Sequence, residues 1–387
     1  MRLFSISSPL IFYFSQNIAF QLKDNKNLQF LWYVEGAEKH LQSYDILSEH
    51  GIWTEKIVFH KGKNYNDFNF MNFIKFKRRI NELIEIEENI LKLLTEKKIK
   101  QVFIGNRNAP IDRLLYYCSK QLGIEVNLIE DGLTNYLNFR YHEKPVHGIF
   151  SYEYIKRNVK GLFYKALRRD KVFWEDDPLI FDNIYAIFPD RYFLKNYKKE
   201  IKKLRLNDKI PKYKECINNL MSSKEYEMLW NNSKKNILFL SQSLSEDRLT
   251  SLDTEIMVLA DYFKTVLNNT DYRLIIKPHP RDKKDKIDRL VKELGNNNVC
   301  VLNNDTPIPI ELLLDNIEVN EIVGIWSAPL FYTSLVREDI SCVSLLFRLI
   351  EISNDDNSKL IRLYNHLKTV FPTEVIWFNP KKKGEII

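Results

Sequence analysis

Lys100–Gly132 reads KQVFIGNRNAPIDRLLYYCSKQLGIEVNLIEDG, and the spacing of its apolar residues decides the fold. Lys100 to Gly105 is an apolar run of strand length, Ile111 to Leu122 is helix-like, and Val126 to Glu130 is a second apolar run. Strand, helix, strand in this order predicts a parallel sheet with helices on both faces.

The alternation extends in both directions. Upstream, Arg2 to Ser8 has the pattern of a short buried strand, Pro9 sits where a helix can begin, and Leu28 to Val34 reads as another strand. Phe73 to Lys98 places Ile80, Leu83, Ile84, Ile90, Leu91 and Leu94 at helical spacing among charges. Between about Tyr154 and Leu229 the pattern changes to charged stretches with scattered aromatics, which predicts helix, connector and a domain boundary. Beyond it, Asn236 to Ser241, Arg273 to Ile276, Val299 to Leu302, Glu321 to Ile325 and Cys342 to Leu345 are short apolar strands separated by helix-length segments, a second α/β domain. The expected division is an N-terminal Rossmann-like domain with a helical extension over 1–190, a helical linker over 191–230, and a C-terminal Rossmann-like domain over 231–387. Two such halves facing a central cleft form the architecture called GT-B, one of several two-domain α/β folds that patterning alone admits.

Length and composition agree with two domains. At 387 residues the chain exceeds the size at which a single core keeps growing, and its 44% hydrophobic and 13% aromatic content can fill two. The net charge of +7 arises from 58 basic against 51 acidic residues, a mild bias. It suits nucleotides, acidic sugars or a lipid surface and falls short of a nucleic-acid binder, so no nucleic acid is expected as partner. Cys118, Cys216, Cys300 and Cys342 lie far apart with no Cys-x-x-Cys pair, which predicts buried thiols rather than a zinc site or a disulfide framework. The apolar stretch Leu3 to Phe20 is broken by serines, Gln16 and Asn17, and reads as neither a transmembrane helix nor a signal peptide; a cytoplasmic protein is expected.

Several chemistries are disfavoured. Phosphate-binding loops of the Walker and dinucleotide types need clustered glycines, whereas the 11 glycines here are well separated. No Asp-x-Asp pair is present to hold a divalent ion on a nucleotide diphosphate, and there is neither a Gly-x-Ser-x-Gly elbow nor a His-Glu-x-x-His helix.

Four clusters carry candidate chemistry. Lys277-Pro278-His279-Pro280-Arg281 stands at the carboxyl end of a strand, where open α/β sheets bind ligands. The two prolines restrict His279, and an imidazole between basic side chains can donate a hydrogen bond or proton to a departing phosphate oxygen; a turn in which it merely closes the strand end is the alternative. Glu130-Asp131-Gly132 ends another strand. If both carboxylates continue the extended conformation they point to opposite sides, so one faces a ligand while the other braces the loop, and Gly132 leaves room for approach. A carboxylate facing a sugar hydroxyl is a general base, and an ordinary acidic turn is the alternative. Glu311, after Thr306-Pro307-Ile308-Pro309-Ile310, falls in a first helical turn, where it can accept hydrogen bonds from ribose hydroxyls or simply compensate the helix dipole. Gly324-Ile325-Trp326-Ser327-Ala328-Pro329 follows a strand and opens a helix, with Ser327 as N-cap or as a phosphate contact.

In this order, Glu-Asp-Gly, Lys-Pro-His-Pro, a Glu-bearing Pro segment and a Ser-bearing helix start, the chain resembles the bacterial sialyltransferases. It looks most like glycosyltransferase family 52, whose members modify lipooligosaccharides and capsules. The resemblance spans about Asp131 to Ser334 in motifs, and the first strand with Ser8-Pro9-Leu10 is also similar. It implies a GT-B fold and a metal-independent, inverting transfer of sialic acid from CMP-sialic acid to a terminal galactoside-type hydroxyl of a lipooligosaccharide or capsule. No cofactor is implied beyond that donor substrate. The resemblance makes the N-terminal domain the acceptor side and the C-terminal domain the CMP-sugar side. His279 then corresponds to the leaving-group histidine, Glu311 to the cytidine-ribose carboxylate and Ser327 to the phosphate-contacting hydroxyl, with Glu130, Gly132, Lys277, Pro280, Arg281 and Ala328 among the substrate-binding residues. Many relatives carry a second hydroxyl where Ala328 stands. Asp131 matches the acidic motif as base, while in some members the base comes from upstream of the His-Pro strand, where Asp247 and Asp253 lie; Asp253 is the alternate.

The partners expected are a CMP-sugar donor and a glycan acceptor, with a lipid-linked acceptor and a homodimer left open. Tyr154 to Trp174 interleaves Lys156, Arg157, Lys160, Lys165, Arg168 and Arg169 with apolar residues, which suits either a solvated connector helix or peripheral contact with the inner membrane. Two rival readings stand beside the main one. A GT-B transferase using CMP-Kdo or a nucleoside-diphosphate sugar would keep the fold, and a non-enzymatic binder of anionic surfaces would leave His279 idle.

Overall fold

In a computed structural model that describes residues 1–22, 26–34, 44, 52–61, 73–107, 109–136, 179–192, 200–206, 234–279, 281–295, 298–302, 310, 314, 318–353, 358–371 and 375–378, the chain divides into two units, Met1–Pro211 and Lys212–Ile387.

The first unit runs β1 (Arg2–Ile6), α1 (Pro9–Gln21), β2 (Asn27–Val34), β3 (Trp53–Lys61), α2 (Phe73–Glu96), β4 (Gln101–Ile104), α3 (Pro110–Gln121), β5 (Glu125–Ile129), β6 (Asn183–Ala186) and β7 (Ile201–Lys203). Its sheet has the order β3-β2-β1-β4-β5-β6-β7, with every pairing parallel. The central strands are the apolar runs read from sequence, because strands covered on both faces need no polar alternation. Leu3, Phe4, Val102, Phe103, Ile104 and Val126 are buried, and the Phe4 and Phe103 rings stack at 4.3 Å. In α2, Ile86, Ile90 and Leu94 line the buried face. The strands not foreseen, β3, β6 and β7, lie outward in the order; Thr54, Glu55 and Lys56 on β3 are exposed, as suits an edge.

The second unit repeats the plan: β8 (Lys235–Leu240), α4 (Leu252–Leu267), β9 (Tyr272–Lys277), α5 (Lys284–Leu294), β10 (Val299–Val301), β11 (Glu321–Gly324), α6 (Ala328–Val336), β12 (Ser341–Ser344), α7 (Leu346–Ser353), α8 (Ser358–Val370) and β13 (Ile376–Trp377). The sheet order is β10-β9-β8-β11-β12-β13, again parallel throughout. Each unit is therefore Rossmann-like. The strand order reverses between β1 and β4 in the first and between β8 and β11 in the second, and ligands of open α/β sheets bind outside the carboxyl ends at such reversals.

Proline marks the helix starts that follow these strands. Pro9, Pro110 and Pro329 occupy the first or second positions of α1, α3 and α6, where a missing N–H costs nothing. Ser8 caps α1, its hydroxyl accepting from Ile11 N at 3.3 Å. Cys118, Cys300 and Cys342 are buried, and Cys216 lies outside the described residues. Among the described residues no helix is long and apolar enough to cross a membrane. The basic segment Tyr154–Trp174 lies outside them.

Gly105 sets how closely α1 approaches the end of β4. A Cβ there would fall 2.6 Å from side-chain carbons of Ile11, which is itself fully buried. Gly105→Ala is therefore expected to cost ~1–3 kcal/mol through overpacking, measured by urea unfolding, and Ile11→Val in the same chain should recover part of the loss.

Candidate functional site

The carboxyl end of β5 passes into Glu130-Asp131-Gly132, and the two acids take different surroundings. Glu130 is fully buried. Its Oε2 accepts from Ile187 N at 2.7 Å and from the Tyr136 hydroxyl, and its own N–H donates to Tyr185 O at 3.0 Å. Tyr136 in turn accepts from Phe188 N at 3.2 Å, so Glu130 ties the end of β5 to the end of β6. Glu130, expected among the substrate-binding residues, is enclosed here and its Oε2 serves as a brace between the two strand ends.

Gly132 turns the chain at φ +88°, ψ −165°, a region open essentially to glycine alone. Its carbonyl accepts from Asn135 N at 3.2 Å and Asn135 Nδ2 at 3.1 Å. The turn leaves Asp131 partly exposed while its carboxyl stays desolvated. Burial, then the negative charges of Asp112 and Glu130, push the Asp131 carboxyl up to about 7.

Asp112, in the first turn of α3, is itself fully buried. It accepts from the Ser5 hydroxyl, from Trp32 Nε1 at 3.1 Å and from Asn106 N at 2.9 Å. Ser5 is on β1, and Asn106 follows β4 by two residues. The negative charge that raises Asp131 is thus fixed at the β1/β4 reversal of the first unit.

In the second unit β9 ends at Lys277, a partly exposed residue, and Pro278 is buried. His279 is half-buried, and Pro280 lies outside the described residues. The backbone of His279 forms a closed loop with Asp282: His279 N donates to Asp282 Oδ2 at 2.8 Å and Asp282 N donates to His279 O at 2.9 Å. Arg281 N donates to His279 Nδ1 at 3.2 Å, so a neutral ring carries its hydrogen on Nε2. Burial foremost, with Arg281 and Lys286 adding to it and Asp282 and Asp247 opposing, holds the imidazole below its ordinary value, neutral at pH 7.

What stiffens this turn is a buried ammonium. Lys286, only 1% exposed, reaches Glu255 at 2.6 Å, Asp282 at 3.0 Å, Glu246 at 3.6 Å and the Gln242 carbonyl at 2.5 Å. The Gln242 side chain accepts from Ile325 N at 3.2 Å and Trp326 N at 2.8 Å, which fastens the β11–α6 turn to the same hub. Arg281, largely exposed, pairs through both terminal nitrogens with Asp247 at 2.6 and 2.9 Å, and Asp247 also accepts from Ser243 Oγ at 2.9 Å. Three strand ends, those of β8, β9 and β11, are thereby stitched into one surface at the reversal of the second unit.

The remaining expected residues fall differently. Ser327 is the N-cap of α6 by position, yet its hydroxyl makes no capping bond and stays enclosed without a partner. Ala328 is the first residue of that helix. Asp253, the alternate base, is exposed on the first turn of α4 and pairs with Arg289 at 2.7 Å, while the acid that meets the His279 turn is Asp247. Glu311 lies outside the described residues. Among the described residues no group of three or more His, Cys, Asp or Glu is placed to hold a metal ion. Gln242, Lys286 and Asp282 were missed by sequence reading; Gln242 had a signal in the mostly polar run Ser241 to Asp247 directly after an apolar strand, and Asp282 and Lys286 had none.

The model of one protein family, alpha-2,8-polysialyltransferase (POLYST), matches residues 12–346. Solved structures resemble the chain over nearly its whole length. The Staphylococcus aureus MnaA structure with UDP is 9% identical, covering 96% of this chain and 89% of that one, at a TM-score of 0.52. The α/β-galactoside α-2,3-sialyltransferase of Photobacterium phosphoreum is 13% identical with 97% of each chain covered, and its TM-score is 0.50. A UDP-GlcNAc 2-epimerase from Methanocaldococcus jannaschii is 13% identical over 94% of this chain and 92% of that one, also at 0.50. At these identities the likeness is one of fold, and the fold class is GT-B, as expected from sequence. No curated protein sequence matches the chain.

The surroundings of Asp131 have a consequence for stability. Between its unfolded value of 3.8 and its folded value of about 7, only the unfolded chain loses this proton, so Asp131 subtracts stability as pH rises through that window. Asp131→Asn, which removes the charge and keeps the shape, is expected to raise the melting temperature at pH 8 by more than at pH 5.

Proposed function

The chain belongs to the alpha-2,8-polysialyltransferase family and is a glycosyltransferase, and on that premise we propose that it transfers sialic acid from CMP-sialic acid with inversion and without a metal. The observation that carries the reading is the His279 turn. An imidazole whose Nδ1 accepts from the Arg281 amide, held at a strand's carboxyl end beside the sheet reversal, suits a phosphate oxygen.

In this mechanism the bond between the anomeric carbon and the CMP phosphate oxygen breaks with oxocarbenium character. The departing oxygen collects negative charge, and His279 Nε2–H stabilises it by hydrogen bonding or proton donation. A bound phosphate adds negative charge beside an imidazole that is neutral in the free protein, so donor binding raises its proton affinity at the moment an acid is required. CMP leaves as a phosphate monoester with less charge than a nucleoside diphosphate, and Lys277, His279 and the α6 terminus offer compensation. Asp131, with a proton affinity matched to neutral pH, takes the proton of the attacking hydroxyl.

The acceptor is where the sequence resemblance and the family part company. The resemblance implied a terminal galactoside, whereas the family's name specifies an α-2,8 linkage of polysialic acid, which forms on the hydroxyl of a sialic acid already in place. The match over residues 12–346 favours a sialylated acceptor. A lipid-linked acceptor and peripheral contact with the inner membrane belong to the same proposal, supported by the basic and apolar side chains of Tyr154–Trp174.

Incubation with CMP-sialic acid and either a terminal galactoside or an oligosialoside, with NMR of the product linkage, tests the reading; CMP-Kdo and UDP-sugars serve as rival donors. Transfer is expected from CMP-sialic acid alone, and transfer from a rival donor only would overturn the assignment. His279→Ala should reduce kcat by ~10²–10³-fold. Asp131→Asn should reduce it by ~10²–10⁴-fold. In the wild type the rate should fall as pH drops below about 7, because the base must be ionised.

A further inference from the structure

Two enclosed hydroxyls stand without partners at the β8/β11 reversal. Ser241, the first residue after β8, is only 5% exposed, and its Oγ has no hydrogen-bond partner. Ser327 Oγ, at the start of α6, is in the same condition. Buried hydroxyls are nearly always bonded, because desolvating one without compensation is unfavourable, so an unbonded one at a ligand-binding edge points to an absent acceptor.

Backbone hydrogen bonds hold the two turns in place. Ser241 N donates to Lys277 O at 3.1 Å, and the next residue, Gln242, holds the Ile325 and Trp326 amides. Gly324 lies between them. A Cβ built there would stand 3.1 Å from Ser327 Oγ and 3.8 Å from the carbonyl oxygen of Leu240, the peptide that leads into Ser241. The absence of a side chain at Gly324 thus leaves the start of Ser241 and the Ser327 hydroxyl around one small space.

The start of α6 explains why hydroxyls are needed. A helix N-terminus ordinarily meets an anion with its free amides, but here Pro329 supplies none and the Leu330 amide donates to Ser327 O at 3.2 Å. Ala328, where many relatives of the resembled family carry a second hydroxyl, adds nothing from its side chain. Two of the amides that a helix start ordinarily offers are thus missing or taken, and an anion at this edge gains from hydroxyl donors beside it.

We propose that Ser241 supplies the hydroxyl that Ala328 lacks, so that Ser241 and Ser327 together donate to the phosphate of the bound nucleotide. The inference rests on the nucleotide-sugar reading above, but the pair recognises phosphate oxygens rather than a particular base. Replacing either hydroxyl removes one charge-assisted hydrogen bond from the bound state and nothing from the free protein, where neither is bonded.

Isothermal titration of the full chain with CMP, cytidine and UDP, for the wild type, Ser241→Ala and Ser327→Ala, tests the pair. Ser241→Ala is expected to weaken CMP roughly 10-fold or more, to leave cytidine unchanged and not to lower the melting temperature. A CMP affinity within twofold of wild type for Ser241→Ala overturns the proposal. A marked fall in melting temperature also overturns it, since it would show the hydroxyl to be structural. Should the wild type bind UDP and not CMP, with Ser241→Ala weakening UDP, the donor assignment fails while the hydroxyl pair stands. If no phosphate-bearing nucleotide binds, both fail.

Discussion

Parallel strands deliver all their carboxyl ends to one edge of a sheet, and where the strand order reverses, the helices leaving that edge go to opposite faces and uncover it. Both units obey this constraint, with reversals at β1/β4 and β8/β11. It decides which residues can meet a ligand. Ser241, Lys277, His279 and Ser327 follow or end β8, β9 and β11, and Asp131 follows β5, although these strand ends are far apart in sequence. The chemistry we propose falls to the first few residues after each strand, where the backbone leaves the ladder and side chains stop being core.

Keeping those residues in place requires interactions that the strands cannot supply. In the second unit a single buried ammonium, Lys286, satisfies the carboxylates of Glu255 on α4 and Asp282 in the turn after β9, and the carbonyl of Gln242, whose side chain holds the turn after β11. Such an arrangement tolerates no loss of one partner, since an uncompensated charge would remain inside. In the first unit the same task falls to two buried carboxylates. Glu130 joins the ends of β5 and β6, and Asp112 joins β1, β2, α3 and the turn after β4. Burial foremost, and then their charge, makes a third carboxylate, Asp131, hold its proton to near neutrality. One set of interactions thus rigidifies the edge and tunes the group presented on it.

Much of this was legible in the sequence because it is local. Unbroken apolar runs reported strands buried on both faces, and Lys277-Pro278-His279 and Glu130-Asp131-Gly132 advertised themselves as polar residues at strand ends. What was hidden depends on contacts distant along the chain. Nothing near Lys286 in sequence announces that Glu255 and Gln242 surround it, and a lysine among charges on an amphipathic helix reads as solvated. Parity alone could not say which of Glu130 and Asp131 faces inward; Tyr136 and the Ile187 amide decide it. A serine before a helix signals capping, whereas the Ser327 hydroxyl makes no such bond. The short outer strands escaped because β7 and β13 span only three and two residues.

On the function proposed, His279 presents a hydrogen-bearing Nε2 to a nucleotide phosphate. The imidazole nitrogens of the chain's 7 histidines, labelled with ¹⁵N and assigned with a His279→Gln variant, can be followed by NMR as CMP is added. The account predicts that the His279 resonances alone move strongly and that its titration shifts to higher pH in the complex. A His279 signal unmoved at CMP saturation would contradict it.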